Sequence, residues 1–267
     1  MKKLLSSVIL GASVLALAAC GNDDDKLVVG ASNTPHAVIL EKVKPILAEQ
    51  GIELEIESYT DYVLPNKDLE SGDLDANYFQ HIPYFESQKA DFDYDFANAG
   101  NIHIEPIGIY SKKYKSLSEL PEGATILLSN SVADHGRMLS LLEAEGLITL
   151  ADGIDKTKAE IKDVVENPKN FVFDADTAAE LLVQMYENEE GDAVLINSNF
   201  AIDNGLNPLK DSIAIESGDS PYVNIIAVKS GDEDSKEIKA LVEALHSKEI
   251  QDFILEEWGG SVVPVSK

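Results

Sequence analysis

The chain has 267 residues, with 21 Lys+Arg against 48 Asp+Glu and a formal net charge of -27. So large an excess of acid repels nucleic-acid backbones and anionic headgroups, whose recognition relies on clustered cations, and nucleic-acid binding is excluded as a main activity. Apolar residues make up 44% of the sequence, which is ample for packed cores in one large domain or two smaller ones and excludes global disorder.

The chain begins Met1-Lys2-Lys3, runs through an apolar stretch from Leu4 to Ala19 and reaches Leu17-Ala18-Ala19-Cys20. That stretch falls short of the ~20 residues needed to cross a bilayer, so residues 1–19 read as a secretory signal peptide. Small residues just before Cys20 resemble the lipobox of bacterial lipoproteins. Cys20 is then the lipidation site, and residues 20–25 are the lipidated Cys and a polar tether. No other cysteine exists for a disulfide, a thiolate nucleophile or a Cys-ligated metal.

From Lys26 onward short apolar runs alternate with amphipathic stretches, which predicts an α/β fold. Leu27 to Ala31 reads as a buried strand, Pro35 to Glu49 as a helix stopped by Gly51, and Ile52 to Tyr59 as a strand with one wet face. Further strands are predicted at Ile102 to Tyr110, Thr125 to Leu128, Phe171 to Phe173, Ala193 to Ile196 and Val223 to Val228. Helices are predicted near Asp134 to Glu145, Thr177 to Asn188, Ser235 to Ser247 and Lys248 to Trp258. No internal repeat and no flexible linker separates two consecutive domains. A split arrangement fits better: residues 26–109 plus 225–267 as one lobe, 110–224 as the other, with a ligand cleft and two crossing strands between them.

Enzyme signatures are missing: no G-x-S-x-G, G-x-G-x-x-G, Walker A or H-E-x-x-H motif occurs. Asp91-Phe92-Asp93-Tyr94-Asp95 imitates the start of a calcium loop, but Phe96 and Ile102 stand where Gly and Glu are required, so it reads as a solvated acidic turn. The five His, at 36, 81, 103, 135 and 246, form no i, i+4 pair and read as structural groups, with no metal and no cofactor expected.

Residues 57 to 87 are dense in aromatics and amides. Tyr62, Phe79, His81 and Tyr84 would gather into an apolar, polarizable wall, although Phe79 and Tyr84 alone could equally be core residues. Arg137, the single arginine, lies in Asn130-Ser131-Val132-Ala133-Asp134-His135-Gly136-Arg137 after an apolar strand. Ser131 and Asp134 could form a capping box there, and a guanidinium fork in the first helical turns can hold a carboxylate bidentately.

The segments "DYVLPN", "SGDLDANYFQHIPY", "IHIEPIGIYSKK", "SLSELPEGA", "DVVENPKN" and "DSPYVN" together resemble the NlpA lipoprotein family from about Leu27 to Val265. Its best-known members are methionine-binding lipoproteins of ABC importers, two-lobed periplasmic-binding-protein-like (type 2) receptors that close around a free amino acid. The resemblance implies pocket-lining roles for Tyr62, Phe79, His81 and Tyr84, the substrate α-carboxylate for Arg137, and polar contacts for Asn199 and Asn224. Asn197 is either a contact or a turn residue. Asn130 and Asp134 are possible ligand contacts; Asp134 stands where members often carry Asn, and could pair with an α-ammonium or cap the helix. Phe200 stands where Tyr is usual.

The expected function is a lipid-anchored, monomeric receptor on the extracytoplasmic face of the cell membrane, binding L-methionine and handing it to an ABC permease and its ATPase. No reaction is catalysed. The alternatives are a receptor for D-methionine, a methionine-containing dipeptide or another apolar amino acid, and a surface adhesin or interaction lipoprotein.

Overall fold

Two strands, β1 (Lys26–Ser32) and β2 (Glu53–Tyr59), pair in parallel through a crossover helix, α1 (Val38–Ala48), in the computed structural model, which describes residues 26–266. The predicted signal peptide, Cys20 and the tether lie outside the described residues. Ile39, Leu40, Val43 and Leu47 of α1 bury one helical stripe against Leu27, Val29 and Ala31 of β1, as a parallel crossover requires. The helix starts later than Pro35, because Asn33–Ala37 form a separate turn. Thr34 is held extended (φ -122°, ψ 132°), the conformation a following proline favours.

The chain continues through α2 (Leu64–Ser71), β3 (Ala76–His81), α3 (Ile82–Phe92) and β4 (Phe96–Ile104). The acidic segment at 91–95 ends α3 and turns into β4 over residues 93–95, with Asp93 in the left-handed region (φ 58°). After residues 105–107 come β5 (Gly108–Tyr110), β6 (Thr125–Ser129), α4 (Val132–Ala144) and the antiparallel pair β7 (Thr149–Leu150) and β8 (Val164–Glu166). Then follow β9 (Val172–Thr177), α5 (Leu182–Glu187), β10 (Ala193–Ile196), α6 (Ser198–Asp203), α7 (Pro208–Asp211) and β11 (Ala214–Ile215). Residues 216–222 lead to β12 (Val223–Lys229), α8 (Lys236–Leu245), α9 (Lys248–Trp258) and β13 (Val263–Pro264).

The strands form two main sheets, in the orders β13-β4-β12-β3-β1-β2 and β11-β5-β10-β6-β9. In the first, β1 is parallel to β2 and β3, while β12 runs antiparallel to both of its neighbours. In the second, β6 is parallel to β9 and β10, and β5 is antiparallel to β10 and β11. Each sheet has its own core, one around Val29, Val43, Tyr78, Ile226 and Leu241 and the other around Ile109, Ile126, Met138, Leu142 and Leu195.

One predicted strand is two. The apolar run from Ile102 to Tyr110 breaks at Glu105-Pro106-Ile107, where Pro106 has no N–H to give to a ladder, and its halves belong to different sheets. Gly108 and Ile109 therefore sit with the second sheet, and Val223 and Asn224 with the first. The helix predicted from Thr177 shrinks to α5 after a tight turn at Ala179–Leu181. By contrast α8 and α9 match closely, with Ser235 and Ser247 side chains accepting from the N–H groups of Ile238 and Ile250. No helix among the described residues is long and apolar enough to cross a membrane.

Gly136 lets α4 approach its neighbour directly. A Cβ there would lie 2.3 Å from the Lys156 carbonyl oxygen and 2.8 Å from the Thr157 carbonyl, both backbone atoms that cannot swing aside. Gly136→Ala is expected to lower stability by about 1–3 kcal/mol, read as a lower urea midpoint at unchanged slope. Binding should weaken with it, since Arg137 is the next residue.

Candidate ligand-binding site

The two sheets meet around a pocket whose lining comes from both of them, the concave, mixed apolar and polar setting in which small-molecule sites are found. Among the predicted residues Tyr62, Phe79, His81, Tyr84, Asp134, Arg137, Asn199 and Asn224 all line it. Asn130 does not. It is exposed, its N–H bonds to the Thr177 carbonyl at 2.8 Å, and it faces a neighbouring depression that Tyr62 and Tyr84 also border.

One wall is aromatic. The Tyr62 ring stands 6.1 Å from Phe79, 6.1 Å from Tyr84 and 5.0 Å from Phe200, and Phe79 meets Tyr84 edge-on at 6.0 Å. Tyr62 lies before α2 on the side of the first sheet, and its hydroxyl donates to Asn199 Oδ1 of α6 at 2.7 Å, so it stitches across the cleft. The Tyr84 hydroxyl donates to the Tyr62 carbonyl at 2.7 Å. The amides of the same segment serve a different end: Asn66, Asn77 and Gln80 bond to one another in a buried network at 2.8–3.1 Å.

His81 closes a second link between the sheets. It caps α3, its Nδ1 accepting from the Tyr84 N–H at 3.2 Å, so the proton is on Nε2, which donates to Asp134 Oδ1 at 2.9 Å. Asp134 Oδ2 accepts from Asn197 Nδ2 at 3.2 Å. The predicted capping box is therefore absent: Ser131 stands at the N-cap of α4, but its side chain makes no capping bond, and the Asp134 carboxylate is drawn into the pocket by His81 and Asn197. Burial pushes the Asp134 carboxyl up, but the His81 hydrogen bond and the charges and bonds of Arg137 and Asn197 outweigh it, and Asp134 stays below the usual carboxylate range.

Arg137 is 4% exposed. Its Nη2 donates to the Glu105 carbonyl at 2.7 Å and to Glu216 Oε2 at 2.5 Å, and the Tyr222 ring centroid lies 4.8 Å from its guanidinium carbon. Burial would lower its pKa, but the Glu216 and Asp134 carboxylates raise it above the ordinary value, so the cation is held firmly.

Glu105 escapes any reading from sequence alone, being one acid among 48. It is buried in the pocket floor, where Oε1 accepts from His103 Nε2 at 2.7 Å and lies 3.2 Å from His36 Nε2. Tyr78 donates to His103 Nδ1 at 2.5 Å, and His36 Nε2 also reaches Asn224 Oδ1 at 3.1 Å. Burial pushes His36 down to about 4 and His103 down to about 3, and pushes the Glu105 carboxyl up. His36, His103 and Glu105 are the one group of potential metal ligands among the described residues. Within the trio His103 already bonds to the Glu105 carboxylate, while His36 bonds to Asn224 outside it. Asn197, read as either a contact or a turn residue, is in the lining, and Gln80 and Ser198 complete it; the signal of these two in the sequence is only proximity to the predicted contacts.

Two α/β lobes, a double crossing of the chain between them and a pocket at their junction define a periplasmic-binding-protein-like receptor. The model of the NlpA lipoprotein family matches residues 27–266. The chain is 51% identical over 275 residues to the methionine-binding lipoprotein MetQ of Bacillus subtilis (strain 168), with 100% of each chain covered. It superposes with a TM-score of 0.88 on a pheromone cOB1 precursor/lipoprotein of the YaeC family from Enterococcus faecalis V583, 57% identical, covering 90% of this chain and 100% of that one. A nutrient binding protein from Burkholderia cenocepacia bound to methionine gives a TM-score of 0.84 at 39% identity, covering 89% of this chain and 99% of that one. The chain belongs to the NlpA lipoprotein family, whose members are substrate-binding lipoproteins and not enzymes.

Proposed function

We propose that this protein is a lipid-anchored extracytoplasmic receptor that captures L-methionine and delivers it to an ABC permease and its ATPase. The observation that carries the reading is a pattern of buried polar atoms in the pocket with no hydrogen-bond partner among the described residues. Arg137 Nε and Asn199 Nδ2 are donors; Asn197 Oδ1 is an acceptor. Unpaired groups of this kind cost about 1–3 kcal/mol each, and a zwitterionic α-amino acid supplies the complement. Its carboxylate takes the two donors, and its ammonium takes Asn197 with the flanking Asp134 and Glu105 carboxylates. The aromatic wall then receives the side chain, where a thioether gains ~0.3–1.5 kcal/mol per good sulfur–aromatic contact. The methionine-binding relative and the methionine-bound neighbour support the same ligand.

Cys20 carries the lipid, and residues 20–25 tether the receptor to the membrane surface as a monomer. The first lobe comprises residues 26–104 and 223–266 and the second 108–215, joined by the two connections. Lobe closure over the ligand presents the form that the permease accepts, a population shift set by the ligand's preference for the closed state.

Native mass spectrometry of the freshly purified full chain in detergent should release methionine, and calorimetry should find L-methionine bound more tightly than D-methionine or a methionine-containing dipeptide. A different co-purified mass would reassign the ligand. Absence of any thermal shift with small molecules would favour an adhesin, because a ligand at 100 Kd stabilises by about 2.7 kcal/mol.

A further inference from the structure

Glu216 does not line the cavity, yet it is the anionic partner of Arg137. Its Oε2 accepts from Arg137 Nη2 at 2.5 Å and from the Ile107 N–H at 3.2 Å, while its Oε1 accepts from the Ser220 hydroxyl at 2.9 Å. Its own N–H donates to the Ile107 carbonyl at 2.9 Å. Ile107 lies in the connection from β4 to β5, and Ser220 lies in the connection from β11 to β12, the two places where the chain passes between the sheets. One carboxylate thus holds the pocket's guanidinium and both hinge segments. The remaining hydrogen of Arg137 Nη2 goes to the Glu105 carbonyl, at the start of the first of these segments.

We propose that Glu216 is a positioning residue that fixes Arg137 for carboxylate capture and ties that capture to the geometry of both interlobe connections. The proposal rests on the reading above that the ligand carboxylate goes to Arg137. A buried guanidinium needs a counter-charge when the ligand has left, and the nearby cavity carboxylate, Asp134, is already engaged by His81 and Asn197. Glu216 supplies the charge from behind, with its side chain only 13% exposed. It spends Nη2 on the hinge and leaves Nε with no hydrogen-bond partner among the described residues.

The test is calorimetry on the full chain in detergent with methionine and with methioninamide, which lacks the carboxylate. Wild type should favour methionine. Glu216→Gln should weaken methionine by about tenfold or more while moving methioninamide by less than about twofold. Glu216→Asp keeps the charge on a shorter stem and should recover part of the methionine affinity, which guards against a folding defect in the amide variant. Equal losses for both ligands, or no loss for methionine, would overturn the positioning role and leave the carboxylate reading standing. A wild-type protein that does not distinguish the two ligands would overturn both.

Discussion

Replacing Arg137 by alanine is expected to weaken methionine binding by about 2–5 kcal/mol, roughly 30-fold to several-thousand-fold in Kd. Two losses add. The ligand carboxylate forfeits a charged donor in a buried site, and Glu216 is left beside Ile107 and Ser220 with no cation to balance it. Lysine should not rescue. Arg137 serves the Glu105 carbonyl and Glu216 through one nitrogen while keeping Nε for the pocket, and a single ammonium cannot reach in both directions. Calorimetry on the two variants, alongside a thermal melt to verify folding, measures the effect. Wild-type affinity in Arg137→Ala would remove the arginine from the ligand contacts.

The second large effect is loss of stability in acid. His36 and His103 are neutral in the fold, pushed down to about 4 and about 3 by burial, whereas in the unfolded chain an imidazole titrates near 6.5. Between those values the unfolded chain binds more protons than the folded one, so stability rises with pH there and is lost on acidification. Glu105 works in the opposite direction, because a carboxyl raised by burial takes up its proton earlier in the fold than in the unfolded chain. Two imidazoles outweigh one carboxyl, and Asp134, held below the usual range, adds its loss only at lower pH. A net decrease of about 2–4 kcal/mol is expected between pH 7 and pH 5, seen as a falling melting temperature. His36→Gln should flatten that slope by about half. A melting temperature independent of pH over this range would mean that the imidazoles are not held neutral.

The parts of the fold built on apolar periodicity were legible in the residues: the opening β-α-β unit, β10, α8 and α9 follow directly from spacing and caps. Between Tyr62 and His81 the signal fails for a physical reason. β3 is wholly buried but reads Ala-Asn-Tyr-Phe-Gln-His, since its amides are satisfied by Asn66 of the preceding helix α2. Apolar counting cannot see a polar strand whose partners lie elsewhere in the chain. Asp134 is the same case. Locally it is a capping residue three positions after Ser131, and only a histidine from the other sheet, 53 residues away, turns it into a pocket carboxylate. Arg137 stood out because it is the single arginine, whereas Glu105 and Glu216 were hidden by the abundance of acids around them. Which carboxylate does the work is decided by long-range geometry, and composition holds no record of it.

The position of β12 between β4 and β3 has a consequence for the order of assembly. The second sheet draws only on residues 108–215, so it can close as soon as that stretch has been delivered. The first sheet must wait for β12 to return from the far end of the chain. Closing so long a loop is slow, and the unpaired edges of β3 and β4 stay open to wrong partners in the meantime. A chain ending before Val223 would keep the half that carries Arg137 and Asn199 and lose the middle strand of the half that carries His81. It would be a folded fragment fused to a failed one, a ready substrate for proteolysis.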